Sequence, residues 1–219
     1  MTQAENSVLG MAKQTAKGTP NPTDNAYKYF LYTMSNLGPA SSFLPLDMEV
    51  GGGALPRGSR KVGVTSGGAM TFIPRPEILG DLFLGVTGSV ASVGTDANAD
   101  LTDDYYDHTF KLAADEFSAP YFTLRNSPGN LLGEQFQDVR VASLGMSWRG
   151  ADFVRAQASF VGGLPTPSVS MTAWNSAAQV DSKAPFLAPI GDIELPTATD
   201  VKCLAGGFTA QNAISLDDQ

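Results

Sequence analysis

The residue types that most often carry out chemistry are sparse in this chain of 219 residues. It contains one histidine, His108, and one cysteine, Cys203. A Ser-His-Asp or Cys-His site would have to include His108, whose surrounding sequence, Tyr106 to Phe110, is typical of the start of a strand. We therefore interpret His108 as structural. A lone cysteine excludes an intrachain disulfide and a cysteine-built zinc site, so Cys203 is expected to be a small buried residue.

A run of acidic side chains is the next candidate for chemistry. Side-chain oxygens recur at short intervals between Asp96 and Asp104, as they do in a calcium-binding loop. However, Leu101 occupies the place of the turn glycine, and no glutamate closes the ring at the twelfth position. The run is better explained as a solvated acidic loop. The chain also lacks a phosphate-binding glycine loop, a G-x-S-x-G elbow and an H-E-x-x-H helix. We expect no enzymatic activity, no cofactor and no metal.

The composition favours a sheet protein that does not hold nucleic acid. The formal charge is −8, and an acidic surface repels phosphates. Charged residues make up only 16% of a chain with 23 glycines and 14 prolines, a balance typical of many short strands with turns. No apolar run of membrane-spanning length and no signal peptide are present, so we expect a soluble protein without a membrane partner.

The strongest pattern is a β-hairpin from Phe136 to Gly163. In its second strand the residues alternate between an apolar and a polar face. The apolar face carries Val154, Ala156, Ala158 and Phe160, and the polar face carries Arg155, Gln157 and Ser159. In the first strand the apolar parity changes between Val141 and Leu144, which predicts a bulge near Ala142 to Ser143 or apolar contacts on both faces. None of these residues forms a recognisable catalytic group, so the hairpin indicates a structural protein.

The remaining patterns predict a mainly β protein with one flanking α-helix, at residues 76–87, and extended loops or arms. Residues 1–25 are read as an N-terminal arm with a helical pattern from Glu5 to Lys17, and 26–163 as a β-sandwich. An extended connection, 164–200, and a C-terminal strand segment, 201–219, follow. Further strands are expected at 27–35, 46–50, 62–73, 108–113 and 121–126, with 169–174 less regular. Loops are expected at 36–45 and 91–102.

A basic loop stands out in this acidic chain between Gly51 and Lys61. It consists of a glycine run and three cations: Gly51, Gly52, Gly53, Arg57, Arg60 and Lys61. It is either a solvated loop or an interaction loop that meets an acidic surface of a partner, since loops of this length are often functional.

In this order, the patterns resemble the tail tube proteins of long-tailed bacteriophages, in particular a siphophage family. The landmarks are the segment Gln14 to Pro20, the strand Lys61 to Phe72 running into the helix, the strand His108 to Ala113, and the hairpin Phe136 to Gly162. The resemblance covers about residues 11 to 163. Members of the family are often longer, with a second module after the connection, and here residues 201–219 look like only its first strand.

The resemblance implies a β-sandwich or barrel that assembles into hexameric rings, which stack into a tube around a channel for genome delivery. It implies a virion tail protein that is made in the host cytoplasm and has tape measure, terminator and baseplate proteins as partners. Double-stranded DNA would pass without specific binding, along a channel lined by polar and acidic side chains. The lumen-facing candidates are Arg155, Gln157 and Ser159. The segment from Gly51 to Lys61 would contact neighbouring subunits, and Arg57, Arg60 and Lys61 would pair with an acidic loop there.

Two alternatives stay open at this point. A tail terminator or baseplate hub component would have a related fold but would form rings that do not stack. A monomeric β-sandwich module that binds carbohydrate would expose an aromatic cluster, for which Tyr105 and Tyr106 are the candidates.

Overall fold

A computed structural model describes residues 7–23, 26–46, 58–95, 105–113, 119–127, 133–150, 152–167, 183–188, 191–194, 200–203 and 205–212. In these segments the chain forms sixteen strands and one helix. The elements in chain order are β1 (Val8–Lys13), β2 (Lys28–Phe30), β3 (Tyr32–Ser35), β4 (Gly38–Pro45), β5 (Ser59–Phe72), α1 (Pro76–Thr87), β6 (Gly88–Thr95), β7 (Tyr105–Leu112), β8 (Phe122–Ser127), β9 (Glu134–Arg149), β10 (Asp152–Phe153), β11 (Arg155–Gly162), β12 (Pro165–Pro167), β13 (Leu187–Ala188), β14 (Gly191–Glu194), β15 (Asp200–Cys203) and β16 (Ala205–Gln211).

The long strand β9 connects two halves of one sheet. The strand order is β2-β1-β8-β9-β11-β5-β3, with β12 and β16 also on β9 and β4 also on β5. The first half of β9 pairs with β8 and β12, and its second half with β16 and β11. Ser159 faces Ser143 whereas Phe160 faces Val141, so Ala142 is an extra residue. The predicted bulge is therefore confirmed, and it explains the change of parity along β9 because a bulged residue bends and twists its strand.

The core lies between the curled sheet and α1. Its buried side chains come from both halves of the sheet and from one face of the helix: Leu9, Met11, Phe30, Met70, Phe72, Ile78, Leu82, Val86, Phe122, Leu124, Phe136, Val139, Val141, Leu144, Ala156, Ala158 and Phe160. The apolar set predicted for β11 belongs to this core, apart from the half-buried Val154.

The helix forms where the sequence predicts it, from Pro76 to Thr87. Pro76 is favourable in the first turn because its missing N–H would have no helical acceptor there. Gly88 ends the helix in the left-handed region, at φ 85°, and its N–H donates to the Leu84 carbonyl. Gly85 allows the close approach to the sheet, since a Cβ added there would lie 2.5 Å from Val141 Cγ2.

The segment predicted as an N-terminal arm differs from the structure. Val8–Lys13 is a strand between β2 and β8, and Leu9 and Met11 are buried. Sequence reasoning missed this strand because Gly10 interrupts a short apolar pattern. The glycine is needed there, since an added Cβ would lie 2.7 Å from the Tyr29 ring. Tertiary pairing on both sides of β1 outweighs the helical pattern predicted for this segment.

Four other expectations about elements also change. The predicted loop at 36–45 contains β4, and the described part of the loop at 91–102, residues 91–95, belongs to β6. These strands gain their order by pairing with β5 and β7. The strand predicted at 27–35 is broken at Leu31 into β2 and β3, which pair with different strands. The connection, 164–200, contributes β12, β13, β14 and the start of β15, while β16 joins the main sheet. Of the strand predicted at 46–50, Leu46 is described and lies outside a strand; residues 169–174 fall outside the described residues.

The turn that follows β1 is fastened to β9 by Asp138. Thr123 faces both Gln137 and Asp138, so β9 has a second irregularity there, and Asp138 adopts φ 58°. Its Oδ1 accepts a hydrogen bond from the Gly18 N–H at 2.6 Å. With the Gln14 amide oriented to satisfy its neighbours, Gln14 Nε2 also donates to Asp138 Oδ1 at 3.0 Å. Two landmarks that are distant in sequence therefore form one contact.

Replacing Asp138 by alanine should lower the free energy of unfolding by about 1–3 kcal/mol, because both hydrogen bonds are lost and alanine disfavours the left-handed backbone. Asp138→Asn should keep most of the stability, since asparagine tolerates this φ and retains an acceptor oxygen. Urea unfolding of both variants measures the difference. Equal stabilities of Asp138→Ala and the unmodified chain would contradict this role.

The two interior glycines of α1 provide a matched pair. Gly85→Ala should destabilise the fold by about 1–3 kcal/mol through overpacking. Gly80→Ala should raise stability by up to about 1 kcal/mol, because a Cβ there meets nothing within 4 Å and alanine favours helix. The midpoint temperature of thermal unfolding should therefore fall for Gly85→Ala and rise for Gly80→Ala. Shifts of the same sign in both variants would argue against close packing at Gly85.

Candidate assembly edges and polar face

One surface of the sheet carries small and polar side chains from four adjacent strands, and we call it the polar face. Its described members are Ala69, Thr71, Ser143, Gly145, Ser147, Arg149, Arg155, Gln157, Ser159, Ala205, Gly207, Thr209 and Gln211. They share this face because they are paired in register and alternate with the core residues along each strand. The predicted polar residues Arg155, Gln157 and Ser159 all belong to it, and Arg155 and Gln157 are exposed.

The centre of the polar face is uncharged. Gln157 faces Gly145 and Thr71, and Gly145 in turn faces Thr209. The Gln157 amide and the hydroxyls of Ser147 and Thr209 line a shallow groove over Gly145. The next row contains Ser159, flanked by Ser143. The acidic side chains that were expected beside these residues are not among the described members of the face. Hydroxyls and amides offer hydrogen bonds to water without a fixed charge.

One end of the polar face carries charge. Arg155 Nη2 lies 3.5 Å from Asp152 Oδ2, and the Phe153 N–H donates to Asp152 Oδ1 at 2.7 Å. This backbone hydrogen bond, followed by the nearby Arg155 and Arg149 guanidinium groups, lowers the pKa of Asp152. The cluster of Arg149, Asp152 and Arg155 therefore has a net charge of about +1. Sequence reasoning found Arg155 alone, because the hairpin turn that brings Asp152 back to the strand ends has no strong motif.

In the part of the chain that the structure describes, the strands at the two outer edges of this half of the sheet carry no charged side chain. β16 forms one edge, and β3 with β4 forms the other. Their sequences, AGGFTAQ, YTMS and GPASSFLP, contain no charged residue. Natural edge strands are commonly blunted by charges, bulges, Pro or covering segments because open N–H and C=O groups pair with other chains. β4 carries Pro39 and Pro45, whereas β16 has neither proline nor charge.

The ribbon formed by β4 and the first half of β5 extends past the end of β11. Beyond the pair Ser66 and Gly162, the strand that pairs with β5 among the described residues is β4. Phe43 and Leu44 on one strand are each 60% exposed and Val62 on the other is 61% exposed. Exposed apolar side chains on such a ribbon mark a contact surface.

Part of the predicted basic loop is a strand. Arg60 and Lys61 lie in β5, opposite Leu44 and Phe43, and both are exposed. The sequence does not show where this strand begins because a glycine run precedes it. Gly51, Gly52, Gly53 and Arg57 lie outside the described residues.

A second ribbon, β6 with β7, leaves the end of the helix. Val93, Tyr106 and Leu112 are exposed on it. His108 Nδ1 lies 2.8 Å from Ser92 Oγ, and its ring stacks on Tyr106 with the centroids 6.5 Å apart. His108 is exposed and has this hydroxyl contact across the ribbon, an arrangement that fits a structural role.

Other site types find little support in the described part of the chain. It contains no group of three His, Cys, Asp or Glu residues that could hold a metal ion. None of its helices is both long and apolar enough to span a membrane. The cleft between α1 and the β6–β7 ribbon is lined by Asp81, but Lys28 pairs with that carboxylate at 2.7 Å.

The solved structures that resemble the chain include three that each cover about three quarters of it at low sequence identity. A sheath–tube complex of an extracellular contractile injection system in the extended state has a TM-score of 0.39 at 6% identity and covers 75% of this chain and 88% of that one. The sheath/tube terminator of such a system has a TM-score of 0.37 at 7% identity, and the match covers 74% of this chain and 93% of that one. The tube-terminating cap of the anti-feeding prophage has a TM-score of 0.35 at 9% identity, and the match covers 74% of this chain and 88% of that one.

The family assignment rests on a match along almost the whole sequence. No curated protein matches the chain. The family model described as phage tail tube protein matches residues 4–218. This range includes the start of β1 and the whole of β16, which lie outside the residues 11 to 163 that carry the resemblance in the sequence. The chain is a mainly β structural protein with one flanking helix, and it belongs to the phage tail tube protein family.

Proposed function

We propose that this tail tube subunit assembles into hexameric rings that stack into a tube for genome delivery. The observation that carries the proposal is the pair of unlike, uncharged edges at opposite sides of one curled sheet. Pairing β16 of one copy with β3 and β4 of the next would satisfy both edges. Such a contact is head-to-tail, and head-to-tail contacts close into rings when the rotation per subunit allows it.

In the ring, the polar face would line the channel and α1 would lie outside. Closing the sheets of all subunits into one barrel gives every copy the same inward face. The uncharged row of Thr71, Gln157 and Thr209 fits a wall along which DNA moves without being held, as electrostatic grip on DNA requires an array of cations. Arg155 and Ser159 complete the set that we assign to the lumen.

Contacts between stacked rings would come from the exposed ribbons. The ribbon of β4 and β5 combines apolar surface, at Phe43 and Val62, with the cations Arg60 and Lys61. The segment 51–57, with its glycine run and Arg57, belongs to the same contact in this proposal. An acidic surface on the neighbouring ring, for which 96–104 is the candidate, would pair with these cations.

The subunit would act in the virion tail without catalytic activity, cofactor or membrane contact. It would be made in the host cytoplasm and would meet tape measure, terminator and baseplate proteins. Rings that do not stack would instead identify a terminator or hub component. A monomer at every concentration would favour the binding module.

The edge contact can be removed by one backbone change. Asn212 N–H donates to Ala142 O at 2.8 Å, so by alternation the Thr209 N–H points away from β9 towards the open edge. Thr209→Pro should abolish the assembly of subunit rings. Proline lacks the backbone N–H that would donate across the edge, and its pyrrolidine group blocks the approach of a partner strand. Sedimentation velocity and electron microscopy of the purified chain measure assembly.

The matched control is Thr209→Val, which keeps the N–H and suits a strand. It should assemble like the unmodified chain, and both variants should keep the far-ultraviolet circular dichroism of the unmodified chain. Assembly of a folded Thr209→Pro chain at the normal concentration would rule out β16 as the ring edge.

The stacking contact can be tested by reversing a charge. Arg60→Glu should leave single rings intact but shorten or abolish tubes, because like charges would then face each other between rings. Lys13→Glu, which makes the same change at an exposed position on β1, is the control. Tube lengths in electron micrographs measure the effect, and normal tubes of Arg60→Glu would remove this residue from the contact.

A further inference from the structure

We infer that Arg149, Asp152 and Arg155 form a collar that contacts the phosphate backbone of the passing duplex at one end of the channel, with Asp152 limiting how strongly it binds. This inference rests on the proposed function, because it takes the polar face as the lumen. It concerns an anion-contact site that differs in charge from the rest of that face.

The charge distribution on the polar face supports the collar. Both cations of the face lie at the same end, since Arg155 pairs with Ser147 and Arg149 is two residues further along β9. Towards the other end, the described rows contain only glycine, alanine, hydroxyl and amide side chains. In a chain of formal charge −8, this is a local reversal of sign that every copy would repeat around a ring.

Phosphate oxygens are the ligands that match this geometry. A guanidinium offers several N–H donors in a fixed plane and retains its charge at any physiological pH. Arg149 is exposed, and the side chain of Arg155 is 58% exposed, so both can meet a polyanion. The described members of the polar face include no carboxylate, and Asp152, beside the face, lies 3.5 Å from Arg155. Backbone contacts of this kind carry no sequence information, as a conduit for a whole genome requires.

Asp152 would keep the contact weak. The Phe153 N–H fixes its carboxylate at 2.7 Å, and the second oxygen lies 3.5 Å from Arg155. The Arg155 guanidinium is therefore already partly paired, and a phosphate has to compete with an intramolecular carboxylate. A duplex would be guided at each ring and released, whereas two unopposed arginines in each of several subunits would hold it.

The test compares three full-length variants with the unmodified chain for binding of a short DNA duplex at low ionic strength, before and after assembly. Asp152→Asn should bind roughly three- to tenfold more tightly than the unmodified chain, because the competing charge is removed. Arg149→Gln with Arg155→Gln should bind more weakly and should lower the slope of log K against log salt by about 0.9 per lost contact. Asp107→Asn, the same charge change at an exposed site on β7, should match the unmodified chain.

Equal effects of Asp152→Asn and Asp107→Asn would overturn the collar, since net charge alone would then explain the change. Loss of assembly in the double arginine variant with unchanged duplex binding would also overturn it and would assign the arginines to a subunit contact. Electron microscopy of the unmodified chain tests the proposed function separately. If no rings form, the proposed function fails, while the binding series on the dispersed chain still decides whether the site contacts phosphate.

Discussion

The structure depends on the continuity of β9 through its bulge at Ala142. This one strand pairs with four others, and β8 and β16 follow one another along the same side of it. At the bulge the chain turns from the half of the sheet that holds β1 and β2 to the half that presents the polar face. Without the extra residue, the apolar side chains of the two halves would point to opposite sides of the strand, because a shift of one residue reverses every side chain. The single core under α1 therefore requires it.

The same geometry separates stability from assembly. Burial is concentrated in the core between the sheet and the helix, which includes Phe122, Phe136 and Leu144, all with no exposed surface. The outer strands and both ribbons contribute exposed apolar groups and open backbone edges. The described part of a single copy thus has a packed centre and open strand edges at its margins. Open edges are a liability in a lone protein, and they suit a subunit whose neighbours cover them.

Much of this could be predicted from the sequence, where the periodicity is local. The helix 76–87, the alternation of β11 and the bulge in β9 all follow from the spacing of apolar residues within one element. The strands β1, β4 and β6 could not be predicted, since Gly10, the prolines of β4 and the small residues of β6 weaken the local pattern. They form because a partner strand is adjacent in space. The polar residues of β11 were found by alternation, but the pairing of Asp152 with Arg155 depends on the path of a turn.

The contact between Asp138 and the turn at Gly18 shows how distant landmarks become connected. The family resemblance was carried in part by the segment Gln14 to Pro20 and by the hairpin that contains Asp138. In the fold, Asp138 accepts the hydrogen bond of the Gly18 N–H. This contact closes the turn after β1 onto β9, and so ties the N-terminal strand to the strand that organises the sheet.

A three-dimensional cryo-electron microscopy reconstruction of the particles formed by the purified full-length chain would show which strands join neighbouring subunits. We expect a ring in which β16 of each copy pairs with β3 and β4 of the next, with Gln157 and Thr209 facing a channel wide enough for duplex DNA. A ring whose channel is lined by another surface, or one held together without contact between these edges, would contradict this expectation.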